Sequence, residues 1–217
     1  FAYRLEPPGR DLITDGHFGV ALTVADIDGD GRAEIFASRE VEPKVWHLVM
    51  YRQEEGRWVE HALDTECTGS GHDVLCIDIN GDGRLEVIAN AAYCDYPGVF
   101  LYSFLDAPTG PWRKHVVGTG TFAEGLSLAD LDGDGLLEIV HGPDWYDCVG
   151  HDPVRDAWAR HTFAPSFREM SRTAPLDVTG NGRPDIVVVE SEYGDGRLSW
   201  FENKLADDPE RPWIEHV

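Results

Sequence analysis

Basic residues are scarce in this chain of 217 residues: 18 Lys and Arg stand against 40 Asp and Glu, which gives a formal net charge of −22. Such a surface repels nucleic-acid phosphates and anionic lipid head groups, so nucleic-acid binding is a poor expectation. Long apolar runs are also missing, and no stretch approaches the roughly 18 apolar residues that predict membrane insertion. Hydrophobic residues make up 42% of the chain, enough for a buried core.

The chain does not begin with Met, and Phe1–Arg4 show no basic stretch followed by an apolar segment. It ends at Val217 within a run that is typical of a strand. These features predict a processed or excised piece of a longer protein, without a retained signal peptide.

Cysteine is limited to four positions, Cys67, Cys76, Cys94 and Cys148, and none of their spacings fits a zinc site. Three disulfide pairings stay open. Cys76 lies in an apolar run, which favours a buried free thiol. The motifs G-x-S-x-G, H-E-x-x-H and G-x-x-x-x-G-K are also absent, as is the Asn-x-Ser/Thr sequon.

An acidic segment recurs four times with a period of roughly 50 residues. We name the four copies loop 1 (26–34, DIDGDGRAE), loop 2 (78–86, DINGDGRLE), loop 3 (130–138, DLDGDGLLE) and loop 4 (177–185, DVTGNGRPD). A second marker, Trp-x-x-His, has the same period and begins at Trp58, Trp112, Trp158 and Trp213. Two markers with one period indicate four structural repeats.

Each repeat reads as four short strands without an amphipathic helix. In the first repeat, apolar and β-branched runs precede and follow loop 1, a third run covers 45–51, and the fourth carries the Trp-x-x-His marker. The sequence therefore predicts an all-β propeller of four-stranded blades, with approximate boundaries 12–63, 64–117, 118–163 and 164–217. Further blades or a second chain would complete the ring.

The loops carry oxygen ligands at positions 1, 3, 5, 7 (backbone carbonyl) and 9, a set that suits calcium. The predicted ligands are Asp26, Asp28, Asp30, Arg32 and Glu34 in loop 1; Asp78, Asn80, Asp82, Arg84 and Glu86 in loop 2; Asp130, Asp132, Asp134, Leu136 and Glu138 in loop 3; and Asp177, Thr179, Asn181, Arg183 and Asp185 in loop 4. An EF-hand is excluded because position 12 is never Glu and strands flank each loop. Loop 4 has only two carboxylates, so three calcium sites and a weak fourth are expected.

These loops and the Trp-x-x-His marker resemble the FG-GAP/VCBS repeat β-propellers over the whole chain. Two segments, 68–83 and 112–120, also resemble the propeller domain of the aldos-2-ulose dehydratases, which dehydrate sugars. In the FG-GAP/VCBS family the acidic loop joins the innermost strand to the next one. The resemblance therefore implies that the opposite face holds the segments that lead into each blade and the loops after each second strand.

On that opposite face we expect aromatic and charged side chains that suit a sugar ligand. The predicted ligand-binding residues are Arg39, Tyr93, Tyr96, Asp144, Trp145 and Tyr146. Candidate catalytic residues are His17, His72, Glu124 and Tyr146. A histidine there could act as a general base or bind a transition metal, although no second metal ligand is fixed by local spacing. A hydrogen-bonded structural histidine is the alternative.

These observations predict a calcium-stabilised propeller module for carbohydrate recognition or scaffolding. A sugar-acting carbon–oxygen lyase, or dehydratase, and a protein–protein interaction module are the alternatives. A secreted, extracellular or periplasmic location is expected, because calcium sites of this kind bind weakly, at about 10⁻⁴–10⁻³ M.

Overall fold

The computed structural model describes residues 13–66, 71–92 and 96–217. These residues form sixteen strands, grouped by sequence order into four antiparallel sheets of four strands each. The predicted all-β architecture of four-stranded blades is confirmed. Nowhere in these ranges is there a helix with the length and apolar character needed to cross a bilayer.

The strands follow the repeat. Blade 1 contains β1 (His17–Ala25), β2 (Glu34–Glu42), β3 (Val45–Glu54) and β4 (Arg57–Asp64); blade 2 contains β5 (Val74–Ile77), β6 (Glu86–Ala91), β7 (Gly98–Phe104) and β8 (Trp112–Thr119); blade 3 contains β9 (Leu126–Ala129), β10 (Glu138–His141), β11 (Asp144–Cys148) and β12 (Trp158–Thr162); blade 4 contains β13 (Ser171–Leu176), β14 (Asp185–Glu190), β15 (Leu198–Asn203) and β16 (Trp213–His216). Each blade is a meander in which neighbours in sequence pair in the sheet.

The first strand of each blade is the innermost one. β1 contacts β5 and β9 contacts β13, whereas β8 contacts the outer strands β4 and β12. Each acidic loop follows an inner strand, so the loops share one face of the arc and the starts of the inner strands share the other.

The hydrophobic core lies between blades rather than within them. One cluster joins blades 1 and 2 and includes Phe36, Met50 and Val74. A second joins blades 2 and 3 around Ile88 and Tyr146, and a third packs blade 3 against blade 4. Because a four-stranded sheet buries both faces only against neighbouring sheets, each blade depends on the blades beside it.

The Trp-x-x-His marker lies on the last strand of every blade, but its histidines mainly contact their own blade. His161 stacks on Trp145 at 4.3 Å and His216 on Trp200 at 4.0 Å, within one blade in each case. His115 does bridge blades, since its Nε2 donates to the Asp156 carbonyl at 2.8 Å. Of these three histidines, His115 is thus the one with a hydrogen bond to a neighbouring blade.

Cys76 and Cys148 both carry free thiols. Cys76 is partly buried in β5, and burial raises the pKa of its thiol to about 12. Cys67 and Cys94 lie outside the described residues.

Candidate metal loops and the opposite face

The first Asp of each acidic loop accepts hydrogen bonds from the loop backbone and so fixes its conformation. In loop 1, Asp26 accepts the backbone N–H groups of Asp30 at 3.0 Å and Gly31 at 2.9 Å, one on each carboxylate oxygen. Gly29 and Gly31 adopt φ values of 72° and 86°, which glycine tolerates without strain. The same pattern occurs in loop 2, where Asp78 accepts from Asp82 and Gly83. The backbone thus holds the loop carboxylates close together.

The last carboxylate of loops 1 to 3 is buried. Glu34, Glu86 and Glu138 are each at most 3% exposed, and each accepts a backbone N–H from the second residue of its loop. Burial raises the pKa of Glu86 to about 7 and that of Glu138 to about 8, and the neighbouring aspartates add to both shifts. A bound cation would offset this cost of burying negative charge.

Carboxylate oxygens converge in two of the loops. One oxygen each from Asp26, Asp28 and Glu34 lie within 4.8 Å of one another, and so do oxygens from Asp130, Asp132 and Glu138. Hard oxygen donors at this spacing fit calcium, which takes six to eight such ligands. The donor set of loop 3 therefore fits the ion that the sequence predicts.

Loop 4 does not offer the same donors. Asp185, which replaces the longer Glu, accepts backbone N–H groups from Val178 and Thr179 on one oxygen and from Asn203 on the other. Asp177 accepts backbone N–H groups on both oxygens, as the first Asp of the other loops does, so the difference lies at Asp185. Hydrogen bonds within the chain thus occupy both oxygens of the last carboxylate of loop 4, which a metal ion would need.

Two arginines predicted to offer carbonyls in the loops direct their side chains elsewhere. Arg84 donates to the carbonyls of Phe104 at 3.2 Å and Leu105 at 3.3 Å, and its guanidinium covers the Phe104 ring. Arg183 forms an ion pair with Asp207. Both arrangements leave the side chain out of the loop centre.

On the opposite face, four charged or titratable side chains from three blades meet at the starts of the inner strands. His72 Nδ1 lies 2.6 Å from Glu124 Oε1. Arg172 joins the two carboxylates, with Nη1 at 2.6 Å from Asp73 and Nη2 at 3.3 Å from Glu124. We name His72, Asp73, Glu124 and Arg172 the axial cluster.

Hydrogen bonds with the Asn90 side chain hold the backbone around the axial cluster in place. Asn90 Oδ1 accepts the backbone N–H groups of His72 and Asp73, and its Nδ2 donates to the Ala123 carbonyl at 3.2 Å. Glu124 is 1% exposed, whereas the Arg172 side chain is 41% exposed. The cluster therefore presents a guanidinium to solvent above a buried carboxylate. The candidate catalytic residues predicted from the sequence include residues 72 and 124 but neither Asp73 nor Arg172.

His17, also a catalytic candidate, does not join this cluster. Its imidazole pairs with Glu40 of the same blade and lies 5.3 Å from the Trp46 ring. Arg39 pairs with Glu60 instead of pointing into a common pocket. Tyr96 is 77% exposed, and Tyr93 lies outside the described residues.

The segment Asp144-Trp145-Tyr146 lies in β11 rather than in a loop. The hairpin that joins β10 to β11 has only two residues, 142 and 143, so β11 begins at Asp144, which pairs with His141. Asp144 accepts from Arg160 and Thr162, and Tyr146 is fully buried with its hydroxyl 3.1 Å from Thr121 Oγ1. Trp145 is 5% exposed and borders a cavity beside Asp147. The three side chains are thus held within the chain.

Comparison with known families finds a similarity in the middle of the chain. Residues 78–141 match a family model described as FG-GAP-like repeat. No curated protein matches the chain, so the resemblance to aldos-2-ulose dehydratases remains a prediction. The stretch from loop 2 to the end of β10 is thus similar to an FG-GAP-like repeat, and it lies within an all-β, propeller-type arrangement of blades.

Proposed function

We propose that this chain is a calcium-stabilised propeller module that recognises carbohydrate with the face opposite its acidic loops. The convergence of Asp130, Asp132 and Glu138 oxygens within 4.8 Å carries the calcium part of the proposal. When bound, the ion supplies positive charge that cross-links the loop and compensates buried Glu138. This chain's own residues hold the loop in place through the backbone hydrogen bonds to Asp130.

Calcium titration of chelator-treated protein tests this part. With calcium at about 100 times the dissociation constant, we expect about 2.7 kcal/mol of added stability per site, or a rise in Tm of several degrees. The variant Asp132→Asn should lose the strongest site, whereas Asn181→Ala in loop 4 should bind as the wild type does. Equal titrations for wild type and Asp132→Asn would contradict a site in loop 3.

The axial cluster supports the carbohydrate part of the proposal. A partly exposed guanidinium beside the Asp73 and Glu124 carboxylates offers donors and acceptors within a few ångströms, as sugar hydroxyls require. An oligosaccharide array probed with labelled protein tests it. Arg172→Ala should abolish the signal, whereas Arg155→Ala, on an exposed turn of blade 3, should preserve it. Equal signals from both variants would exclude this face as the binding site.

A sugar-acting dehydratase is the second candidate function, and the contact of His72 with Glu124 favours it. Glu124 would hold the imidazole as a base that takes a proton from the carbon next to a carbonyl. The C–H electron pair would form the C=C bond, and the hydroxyl on the following carbon would leave as water with the proton returned by the imidazole. Incubation with keto-sugars, followed by ultraviolet absorbance of the conjugated enone, tests this reaction. His72→Gln should remove any turnover, and a wild type without turnover would exclude this function for the sugars assayed.

An extracellular or periplasmic location follows from the same proposal. Sites of the extracellular type bind calcium at about 10⁻⁴–10⁻³ M, well above cytosolic calcium levels. The net charge of −22 agrees with this interpretation, because bound ions reduce the repulsion among the loops.

A further inference from the structure

One side chain of each blade's third strand lies beside the acidic loop, and it differs in all four blades. The residue after each loop pairs with an aromatic residue of the third strand: Ile35 with Tyr51, Val87 with Tyr102, Ile139 with Tyr146 and Ile186 with Phe201. The residue that follows the aromatic is Arg52 in blade 1, Ser103 in blade 2, Asp147 in blade 3 and Glu202 in blade 4. We name it the gate position.

In blade 1 the gate residue occupies the loop. Arg52 Nη1 lies 2.6 Å from Asp28 Oδ2 and 3.7 Å from Glu34 Oε1, while Nη2 lies 2.8 Å from Asp30 Oδ2. The remaining oxygens of Asp28 and Asp30 accept backbone N–H groups within the loop. The guanidinium thus takes the oxygens that a metal ion would need.

In blade 3 the gate residue has the opposite charge. Asp132 Oδ2, Asp134 Oδ2 and Glu138 Oε1, the equivalents of the oxygens that Arg52 contacts, accept no hydrogen bond from the described residues. Asp147 lines the same cavity as Asp132, of about 440 Å³, and interacts electrostatically with Asp132 and Asp134. Loop 3 therefore faces a further carboxylate where loop 1 faces a cation.

Blade 2 is intermediate and blade 4 is closed. Ser103 brings no charge and borders the same cavity as Asn80, Asp82 and Glu86. Glu202 is paired with Lys204 and His216, and Asp185 of loop 4 accepts backbone N–H groups on both carboxylate oxygens. The gate residues therefore predict different calcium binding by loops 1 and 3, whereas the ligand count of the loops themselves predicts the same binding for both.

We propose that Arg52 replaces the metal ion in loop 1, so that calcium binds only to loops 2 and 3, with Asp147 strengthening loop 3. The loop 2 and loop 3 part rests on the proposed function. For loop 1, the structure disagrees with the metal-binding pattern of the sequence, because the Arg52 guanidinium occupies the carboxylate oxygens. Because the Arg52 guanidinium takes the place of a calcium ion, loop 1 keeps its structure when calcium is removed.

The test counts calcium ions by isothermal titration in the wild type and in gate variants. We expect two equivalents for the wild type and for Arg52→Lys, which keeps the positive charge, and three for Arg52→Ser, which copies blade 2. Asp147→Ser should keep two equivalents but weaken the tighter one about tenfold, since ligand charge tunes calcium affinity. Arg57→Ser is the matched control, because Arg57 is an exposed arginine of the same blade and lies outside the loop.

Thermal melting provides a second readout. In chelator, Arg52→Ser should melt below the wild type and below Arg57→Ser, and calcium should raise its Tm more than it raises theirs. If Arg52→Ser does not fold in chelator, the variant can be purified in calcium and its bound metal counted by atomic emission after dialysis.

The outcomes separate this inference from the proposed function. Three equivalents in the wild type, unchanged in Arg52→Ser, would overturn the inference while keeping the calcium module. No binding by the wild type would contradict the proposed function, and a single equivalent gained by Arg52→Ser would still support the role of Arg52. Equal titration of Asp147→Ser and wild type would remove Asp147 from the proposal.

Discussion

At the scale of single residues, His141 is the most completely buried titratable side chain next to the axial cluster. It is 0% exposed at the end of β10, and its Nε2 donates to the Ala123 carbonyl at 2.9 Å. Burial lowers the pKa of this imidazole to about 4, even though Asp73 and Asp144 nearby favour its protonated form. The folded protein therefore holds His141 neutral at every pH above about 4.

Acid should destabilise the fold through this residue. An unfolded His has a pKa of about 6.5, so below that pH the unfolded state binds more protons than the folded state. The contribution of His141 to stability is lost as the pH falls from 6.5 toward 4, by about 2 kcal/mol between pH 7 and pH 5. Buried Glu86 and Glu138, whose pKa values are raised, act in the opposite direction over this range, but they do so equally in wild type and variant. His141→Gln keeps a donor for Ala123 and should therefore gain about 2 kcal/mol relative to the wild type between pH 7 and pH 5, as measured by urea unfolding in chelator.

The control for this prediction is His151→Gln, because His151 is an exposed histidine of the same blade. It should retain the wild-type difference between pH 7 and pH 5. Parallel pH dependences for wild type and His141→Gln would show that some other group controls acid sensitivity.

Site residues could be predicted from sequence only where they are contiguous. The nine-residue loops contain nearly all of their own ligands, so their positions follow from spacing alone. Arg52 and Asp147 are separated from their loops by a strand and a hairpin, and their importance emerges only from strand register. The axial cluster joins residues 72, 124 and 172 from three blades, which no local pattern connects.

At the scale of strands and blades, the contact between β9 and β13 depends on a glycine. Gly125 has φ of 77°, and a Cβ there would lie 2.3 Å from the Ser171 carbonyl oxygen and 2.8 Å from Arg172 Cα. Its N–H also donates to Asp73 at 3.1 Å. The backbone of blade 3 therefore approaches blade 4 as closely as only glycine permits.

Gly125→Ala should separate these blades. Gly120 is a matched control, since its φ is 78° but a Cβ there would meet no atom within 4 Å. Gly120→Ala should cost about 1–2 kcal/mol for the left-handed backbone alone. Gly125→Ala should cost roughly 2–3 kcal/mol more, because backbone atoms must move. Urea unfolding of both variants measures the difference, and equal losses would mean that the blades adjust without strain.

Strand order was predictable because each blade pairs neighbours in sequence, and loops with glycine and aspartate mark the turns. In the first repeat, the runs predicted before and after loop 1 lie in β1 and β2, and the run 45–51 lies in β3. The error at 144–146 arose because β10 and β11 are joined by two residues only, and the polar Asp144 at the strand's start suggested a loop. Its charge is satisfied by Arg160 and Thr162 across the sheet, which sequence patterns do not reveal.

At the scale of the whole molecule, the two ends of the blade arc expose apolar faces. The leading flank is formed by Phe18, Val20, Leu22 and Val24 of blade 1, and the trailing flank by Leu176, Val178, Val189 and Leu198 of blade 4. Leu22 is 65% exposed, whereas its equivalents Val74 and Leu126 are at most 8% exposed. Val178 is 42% exposed, whereas Ile27, Ile79 and Leu131 are at most 4% exposed.

The two flanks are the two halves of the interface that the chain buries three times between its own blades. The leading flank also contains a cavity of about 410 Å³ lined by Phe18, Leu22 and Tyr51. A trailing flank could therefore pack on a leading flank as blade 3 packs on blade 4. Two copies would supply eight blades, within the usual range of about four to eight for closed propellers.

We predict that this chain, studied alone, associates head to tail through its flanks. Leu22→Asp and Val178→Asp should each weaken association at least tenfold, because an apolar side chain of this size contributes about 1.5–3 kcal/mol when buried. Val116→Asp, in the outer strand of blade 2 and 51% exposed, should have no effect. Sedimentation equilibrium measures all four proteins. A monomeric wild type would mean that the flanks do not bind those of a second copy of this chain. An equal effect of Val116→Asp would mean that the added charge alone weakens association.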